Sequence, residues 1–537
     1  MLLDQSLRGM SLTEWLVTSS LFAIFALFAK AIYNLFFHPL AHIPGPFFAR
    51  ASGIPSWYYA IRGDRHIWVA KQFDRYGKRV RIEPNTVVFL DPQAETEIYG
   101  MKANVQRSGF YSSWKTSKED VSTINSVDFG DHARMRKFLN VAFTEQSTRA
   151  ASTFVVQHID RWNELQLQAI GGKEGWSDPV DISQSVTALT FDIMGELAFG
   201  ASFNIKEPGD NPFRVVPHNI ESLLKRNYVI SRSPFLDLLL WLKPRGLDNV
   251  INSLAPSSVI SYFHFVRSSV ENRIALYKSQ ESKPEQERRQ DLFYFLCEAK
   301  DPSTGLPAYD GIGLLGEANM LIVAGSDTTA IILSALFFYL TGDADRYRKL
   351  TCEIRGTFAS ADEIVPGPKL MACEYLRAFI QETLRMCPVL LSEMPREVRP
   401  GGQVIRGDFY PAGTIVGVPG CPSKRNPDVF PQPSRFWPER WIVDEKAGVT
   451  REEVARMRNS FHPFAGGPGA CAGKNIAMME MLMTVARTLH RMDVRRAPGS
   501  TLGCDPRNRD EYHLTDAYIS LRQGPEVQFK RREGVKA

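Results

Sequence analysis

Hydrophobic residues recur at helical spacing over most of the chain. Segments in which apolar side chains return every three or four positions predict helices. These segments cover residues 148–169, 181–199, 257–277, 310–340, 344–358, 369–386 and 473–492. Alternating or β-branched runs bounded by turn residues are shorter, and they lie at residues 78–91, 403–420 and 517–532. The pattern therefore predicts a mainly α fold with small β-sheets.

The most apolar run near the amino terminus covers residues 16–37. As a helix it would be about 33 Å long, enough to cross a bilayer core of about 30 Å. A cleaved signal peptide is the alternative, but the basic start is weak and no small-residue cleavage site follows. We therefore expect an uncleaved, single-pass anchor helix within residues 1–37. The basic residues that follow favour a cytosolic location for the rest of the chain; they are Arg50, Arg62, Arg65 and Lys71.

A second apolar run, residues 320–340, also reaches membrane-spanning length but contains Asp327 near its middle. An acidic residue at the centre of a bilayer costs about 3 kcal/mol, so this run predicts a helix buried in a protein core instead. Between the anchor and this region, the prolines of residues 38–46 stop a helix and predict a stiff connector. Residues 47–537 show no repeat and no linker, and we expect them to form a single domain.

Composition and charge exclude some classes of protein. The chain of 537 residues has 64 basic and 59 acidic residues spread along it, which argues against a nucleic-acid partner. Its 7 cysteines contain no C-x-x-C pair, which argues against a disulfide framework and a zinc site.

One cysteine, Cys471, lies in the glycine-rich segment FAGGPGACAG. A lone cysteine is usually an inert packing residue. Here, however, the surrounding glycines permit positive φ and close approach of the backbone to a large planar group. A helix is predicted to begin directly afterwards, and its dipole favours a thiolate. These features together favour Cys471 as a metal ligand.

The same segment resembles the signature F-x-x-G-x-R-x-C-x-G of the cytochrome P450 superfamily, the haem-thiolate monooxygenases. Phe464, Gly467, Cys471 and Gly473 match it, whereas Gly469 stands where the family has an arginine. The resemblance implies the P450 fold, haem b (iron protoporphyrin IX) as cofactor and Cys471 as the axial ligand of its iron. An axial thiolate pushes electron density onto the iron and favours cleavage of the O–O bond.

Two further motifs occur in the family's order. In ETLR, Glu382 and Arg385 lie three residues apart on one helix face, and FWPERW supplies Arg440. An exposed helix pair would explain the first motif alone. The resemblance implies instead a buried Glu-Arg-Arg network, which is structural and not catalytic.

The motif AGSDTT at residues 324–329 resembles the family's oxygen-binding helix. Ala324 and Gly325 are expected to leave room for O2 beside the haem. We expect the Thr328 hydroxyl to bond to the carbonyl of Ala324 and so loosen the helix. Asp327 and Thr328 are then the predicted catalytic pair, which delivers protons to the oxygen-binding site.

The arginine that Gly469 replaces pairs with a haem propionate in the family. The resemblance offers His132, Arg136 and Arg396 as the residues that hold the propionates, although each could also be a surface residue. On this basis a Gly469→Arg variant is expected to keep the haem-thiolate spectrum and to retain haem more tightly.

The resemblance extends over nearly the whole chain, and the chain is most similar in character to the fungal microsomal members of the family. It implies an endoplasmic-reticulum protein whose catalytic domain faces the cytosol. It also implies a monooxygenase that inserts oxygen from O2 into a hydrophobic small molecule, as in fungal secondary metabolism. Desaturation, ring formation or isomerisation on the same cofactor is one alternative, and a non-catalytic haem sensor or carrier is another.

No G-x-G-x-x-G nucleotide-binding motif is visible, so electrons are expected from a separate NADPH-dependent P450 reductase. A basic docking face for that partner could comprise Lys137, Lys474, Arg487 and Arg491, although a solvated charge run would explain them equally well. Apolar segments expected to face the substrate are residues 110–129, 213–242 and 389–394.

Overall fold

The structure is a computed structural model that describes residues 11–115, 121–170 and 175–532. Helices dominate it, as the hydrophobic pattern predicts. In chain order the α-helices are α1 Leu12–Ile32, α2 Phe47–Ala51, α3 Ile54–Arg62, α4 Arg65–Tyr76, α5 Pro92–Tyr99, α6 Gly109–Ser112, α7 Phe129–Leu139, α8 Glu145–Ile170, α9 Ile182–Phe199, α10 Val216–Ser231, α11 Leu236–Leu242, α12 Leu247–Ser253, α13 Ser257–Ser279, α14 Leu292–Glu298, α15 Gly311–Thr341, α16 Ala344–Thr357, α17 Pro368–Met371, α18 Glu374–Met386, α19 Gly420–Lys424, α20 Arg451–Asn459 and α21 Lys474–Arg491.

The strands are short and form small sheets. They are β1 Arg79–Glu83, β2 Thr86–Phe89, β3 Val105–Arg107, β4 Val180–Asp181, β5 Arg396–Val398, β6 Gln403–Ile405, β7 Asp408–Tyr410, β8 Ile415–Gly417, β9 Met492–Arg496, β10 Cys504–Asp505, β11 Asn508–Tyr512 and β12 Glu526–Arg531. The largest sheet has the order β1-β2-β8-β5-β3, in which β2 and β8 pair in parallel and the other neighbours are antiparallel. The fold class predicted from the sequence is confirmed.

Helix α15 is the centre of the core. Asp310 caps its start, because the side chain accepts a hydrogen bond of 2.7 Å from the backbone N–H of Gly313. The helix packs along α9 and also contacts α13, α18 and α21. It is long and apolar enough to cross a membrane, but 78% of its most apolar window is buried. The prediction of a buried core helix is therefore confirmed.

The amino-terminal helix α1 is different, since none of its residues is buried against the rest of the chain. With the π-helical turn Tyr33–Phe37 that continues it, α1 is long and apolar enough to span a membrane. It begins at Leu12, four residues before the predicted start. The chain docks onto the body at that turn, where Asn34 and Leu35 are buried and the Asn34 side chain donates to the carbonyl of Ala51.

One predicted element is wrong in detail. The sequence predicts one helix over residues 369–386, but the structure has α17 and α18 with a break between them. The cause is Glu353 of α16, whose carboxylate accepts the N–H groups of Tyr375 and Leu376 at 2.7 and 2.8 Å and so caps α18 from another helix. The predicted strand region 517–532 contains β12, which pairs with β9 and β4, and isolated bridges at Ile519 and Leu521, so strand structure in this region is confirmed.

Candidate active site

The loop around Cys471 is folded tightly onto itself. The backbone N–H of Cys471 donates to the carbonyl of Phe464 at 2.8 Å, and Gly467–Gly469 forms a single 3-10 turn. Gly467 has φ of +59°, and a Cβ there would lie 2.0 Å from the carbonyl oxygen of Tyr99 at the end of α5. Only glycine allows this conformation and this contact, so the loop is fixed against the chain behind it.

The Cys471 side chain is exposed on one side, and the protein surrounds it on the others. Burial raises the pKa of its thiol. Opposing this, the backbone N–H groups of Gly473 and Lys474 and the charges of Arg136 and Lys474 lower that pKa. Amide groups at a helix start and nearby cations favour a thiolate. The sulfur is therefore placed to bind a metal ion from its exposed side.

Four basic side chains gather beside this loop: Arg107 of β3, His132 and Arg136 of α7, and Arg396 of β5. None of the four forms an ion pair with a carboxylate among the described residues. Burial lowers the pKa of Arg107 to about 10, and the charges of Arg396 and Arg136 add to this effect. Burial, followed by the charges of the three arginines, lowers the pKa of His132 to about 3, so this imidazole is neutral. Arg107 Nε and His132 Nε2 are buried without a hydrogen-bond partner.

Gly469 allows this cluster to form. Arg396 is 8% exposed, and its Nη2 lies 3.0 Å from the position that a Cβ of residue 469 would occupy. Its Nη1 donates to the hydroxyl of Tyr111 at 3.1 Å. The guanidinium of Arg396 therefore takes part of the space in which a side chain at 469 would begin. Arg107, Arg396, His132 and Gly469 together border a small cavity of about 50 Å³.

These residues fit haem. A thiolate on a glycine-rich loop suits the axial position of the iron. Buried cations without carboxylate partners, and with unpaired N–H donors, suit the two propionates of the cofactor. The predicted residues His132, Arg136 and Arg396 come together in the structure. Sequence reasoning missed Arg107, whose only signal was an arginine at the end of a short apolar strand.

The motif AGSDTT, which the sequence predicts to bind oxygen, lies in the middle of α15. The Thr328 hydroxyl donates to the carbonyl of Ala324 at 2.7 Å, so the predicted hydrogen bond is present. Gly325 has a packing role that the sequence did not reveal. A Cβ at Gly325 would lie 2.5 Å from the sulfur of Met194 in α9, so the glycine permits α9 and α15 to pack closely. Its expected role beside O2 remains a prediction.

Asp327 is buried and held by a residue from the far end of the chain. Its Oδ1 accepts from Arg522 Nη1 at 2.6 Å, and Arg522 Nη2 donates to the hydroxyl of Thr187 at 2.6 Å. Asp327 Oδ2 is buried without a hydrogen-bond partner. The carboxylate is thus fixed through one oxygen, while the other remains able to accept a proton or a hydrogen bond. Burial, and then the charge of Asp327, raises the pKa of Glu221 on α10, so a second carboxyl group lies nearby.

Glu382, Arg385 and Arg440 meet as predicted and are fully buried. Arg385 donates to both carboxylate oxygens of Glu382, at 2.8 and 2.9 Å, and Arg440 Nε donates at 3.1 Å. Two further donors complete the shell, Trp441 Nε1 at 3.0 Å and the backbone N–H of Trp437 at 2.8 Å. Every oxygen of this carboxylate is satisfied, which is typical of a structural network.

The predicted basic docking face needs a correction. Arg487 is 1% exposed and pairs with both oxygens of Asp160 at 2.6 Å, so it cannot present its charge to a partner. Arg491 pairs with the same carboxylate at 2.9 Å. Lys137 and Lys474 are exposed. The exposed part of the predicted face is therefore reduced to these two lysines, of which Lys474 lies near Cys471.

Comparison with known proteins gives one consistent result. Residues 51–508 match the family model described as Cytochrome P450. "Cytochrome P450 monooxygenase poxM" of Penicillium oxalicum is 34% identical over 519 residues, which cover 96% of this chain and 94% of the relative. "Cytochrome P450 monooxygenase fscF" of Fusarium equiseti is 33% identical over 98% of both chains. "Cytochrome P450 monooxygenase apf7" of Gibberella fujikuroi is 32% identical over 94% of this chain and 96% of the relative.

The contact at Gly469 reverses the expectation for the arginine variant. In Gly469→Arg, the new Cβ would lie 3.0 Å from Arg396 Nη2 and would push aside a guanidinium that we expect to bind a propionate. Overpacking of this kind costs about 1 kcal/mol or more, so we expect haem to dissociate about fivefold faster or more. The measurement is the rate of haem transfer to an excess of apomyoglobin.

Gly466→Ala is the matched control, because a Cβ at Gly466 meets nothing within 4 Å. Its haem transfer rate should stay within about twofold of the wild-type rate. Slower haem loss from Gly469→Arg than from the wild type would contradict the structural argument and restore the expectation from the sequence.

Proposed function

The chain belongs to the cytochrome P450 family, and from this premise we propose that it is a membrane-anchored monooxygenase with Cys471 as its iron ligand. Its substrate is a hydrophobic small molecule, and its electrons come from an NADPH-dependent P450 reductase. The observation that carries the proposal is the pairing of a thiol at a helix start with three arginines and a neutral histidine that lack carboxylate partners among the described residues. That combination matches two parts of haem, its iron and its propionates.

In this proposal the chain's residues divide the work of holding the cofactor. Cys471 supplies the thiolate, and the N–H groups of Gly473 and Lys474 stabilise its charge. Arg107, His132 and Arg396 bind the propionates. Arg136 contributes both to the propionate site and to the stabilisation of the thiolate, since its guanidinium lies close enough to Cys471 for each to affect the pKa of the other. Phe464, Gly467 and Gly473 shape the loop.

Haem, when bound, supplies the activation of O2. The chain's contribution is to move protons and exclude water. Asp327 is the proposed acid, because its Oδ2 is buried and unpaired while Arg522 fixes Oδ1. The Thr328 hydroxyl is the proposed relay, and its bond to the Ala324 carbonyl holds it in place on α15. A sensor or carrier of haem would not need this pair.

The proposed location of the protein in the cell rests on helix α1 and on the similarity to fungal proteins. We propose that α1 anchors the protein in the endoplasmic-reticulum membrane with the body in the cytosol, where the reductase can reach the exposed Lys137 and Lys474 near Cys471. The similar proteins are fungal monooxygenases, so we propose a role in fungal secondary metabolism.

Replacement of the proposed ligand tests the function directly. Cys471→Ala should abolish the Soret band near 450 nm that reduced, carbon-monoxide-treated haem-thiolate proteins show, because no thiolate would remain on the iron. Cys352→Ala removes an exposed cysteine elsewhere and should keep the band in full. A band that survives in Cys471→Ala, or is absent from the wild type, would refute the ligand assignment.

Replacement of the proton-delivering residues tests the chemistry. Asp327→Asn and Thr328→Ala should each lower product formation about 100-fold and leave the carbon monoxide spectrum unchanged. The substrate for this assay is the precursor that accumulates in a strain lacking the protein. Ser326→Ala is the control, because Ser326 makes the same kind of bond to the carbonyl four residues back but is outside the proposed relay. Equal losses in all three variants would point to damage of α15 instead.

Two amino-terminal deletions test the anchor. Removal of residues 1–32 should release the protein from membranes in carbonate-free flotation assays, while the midpoint of thermal unfolding stays the same, because no residue of α1 is buried. Removal of residues 1–37 also deletes Leu35, which is 7% exposed, and should lower stability by about 2 kcal/mol. If the protein that lacks residues 1–32 still floats with lipid, the assignment of α1 as the anchor is contradicted.

A further inference from the structure

A second, larger cavity of about 430 Å³ lies between α10, α11, α12 and α13 and the segment that follows α6. This volume is within the range of small-molecule sites in proteins. Most of its wall is apolar, with side chains that include Trp114, Leu223, Leu239, Ile251, Val259 and Phe263. Parts of two segments expected to face the substrate, residues 110–129 and 213–242, line it, although residues 116–120 lie outside the described chain. The third segment, residues 389–394, does not line it.

One polar side chain inside this cavity has no partner. Arg226 of α10 lines the wall, and its Nε is buried without a hydrogen-bond partner. Arg226 also forms no ion pair with any carboxylate in the part of the chain that the structure describes. A guanidinium that is partly removed from water without an anion is costly, and burial accordingly lowers its pKa. The cavity thus contains a half-buried cation whose Nε is unsatisfied.

The remaining charges around the cavity are also mostly positive. Lys115, His264 and Arg267 border it, and Asp248 is the single carboxylate among its described lining residues. Asp248 already faces Lys243, whose Nζ lies 3.7 Å from its Oδ1. Lys243 Nζ also donates to the carbonyls of Lys115 at 2.6 Å and Ser113 at 3.4 Å, so it ties two walls together. Among the described lining residues, no carboxylate is therefore left to pair with Arg226.

The cavity adjoins the proposed haem site through one aromatic cluster. Trp114 lines the cavity, donates from Nε1 to Ser231 Oγ at 3.0 Å, and packs edge-on against Tyr518 with ring centroids 5.4 Å apart. Tyr518 donates to the Tyr111 hydroxyl at 3.1 Å, and that hydroxyl also accepts from Arg396. The far side of this cluster is thus the cation cluster beside Gly469.

We propose that this cavity binds an amphiphilic substrate with an apolar body and one carboxylate, and that Arg226 pairs with that carboxylate. The inference rests on the proposed monooxygenase function and specifies its substrate class. The apolar wall accounts for the body of the ligand, and the unpaired guanidinium accounts for its charge. A neutral hydrophobic substrate would leave Arg226 desolvated and without a partner.

The test compares decanoate with 1-decanol, two ligands of equal length that differ in charge. Full-length protein in phosphatidylcholine nanodiscs is titrated by calorimetry, and the signal from empty nanodiscs is subtracted. Decanoate should bind about tenfold more tightly than 1-decanol, because a charge-assisted pair forms only with the acid. Arg226→Gln should remove this tenfold preference and leave 1-decanol affinity within twofold, whereas Arg226→Lys should retain part of it.

Arg245→Gln is the matched control, because Arg245 lies on the same face of the fold but is exposed and does not line the cavity. Its preference for decanoate should equal that of the wild type. Equal affinity for both ligands in the wild type, or an equal loss in Arg245→Gln, overturns the proposal. Phosphatidic acid in the nanodiscs distinguishes a lipid headgroup from the free acid: Arg226-dependent binding to it without decanoate binding also overturns the proposal.

The carbon monoxide spectrum separates this inference from the function on which it rests. A protein that keeps the thiolate spectrum but shows no Arg226-dependent preference refutes the carboxylate site alone. A wild-type protein without that spectrum refutes the haem-thiolate assignment, and the calorimetric comparison of the two ligands still stands by itself.

Discussion

The concentration of buried positive charge beside Gly469 is the constraint that organises the active site. Arg107, Arg136 and Arg396 approach one another around a neutral His132, although like charges in a poorly solvated region repel. Carbonyl and hydroxyl groups compensate only in part: Arg107 donates to the carbonyls of Thr123 and Ile124, and Arg396 donates to Tyr111. A ligand with two carboxylates would relieve the remaining cost. Arg396 packs directly against Gly469, where a Cβ would lie 3.0 Å from its Nη2.

A contrast between satisfied and unsatisfied buried charges separates structure from function in this protein. The carboxylate of Glu382 receives hydrogen bonds on both oxygens from two arginines, an indole and a backbone amide, so nothing is left for a ligand. Asp327 is satisfied on one oxygen only. Groups of the first kind hold elements together, and groups of the second kind remain able to act on a ligand or a proton.

Much of the fold and part of the site could be predicted from local sequence. The period of α15, the glycines around Cys471 and the back-bond of Thr328 are properties of neighbouring residues. Arg522 and Glu353 could not be predicted in this way. Arg522 reaches Asp327 across 195 positions of the chain, and Glu353 caps α18 from a different helix. Arg487 shows the converse case. The sequence suggests an exposed charge, but the side chain is buried and pairs with Asp160 of α8.

The aromatic cluster keeps two positive regions apart. Arg226 lies on one side of it and Arg396 on the other, and both would bind carboxylates, one from a substrate and one from a cofactor. The cluster itself must carry no charge if these sites are to act separately. Burial raises the pKa of Tyr518 well above its usual value, so its hydroxyl stays neutral and donates to Tyr111. Trp114 packs against Tyr518, and Tyr518 is connected to Arg396 through the hydroxyl of Tyr111, so a ligand that moves Trp114 would shift Arg396 through uncharged groups and not through a charge.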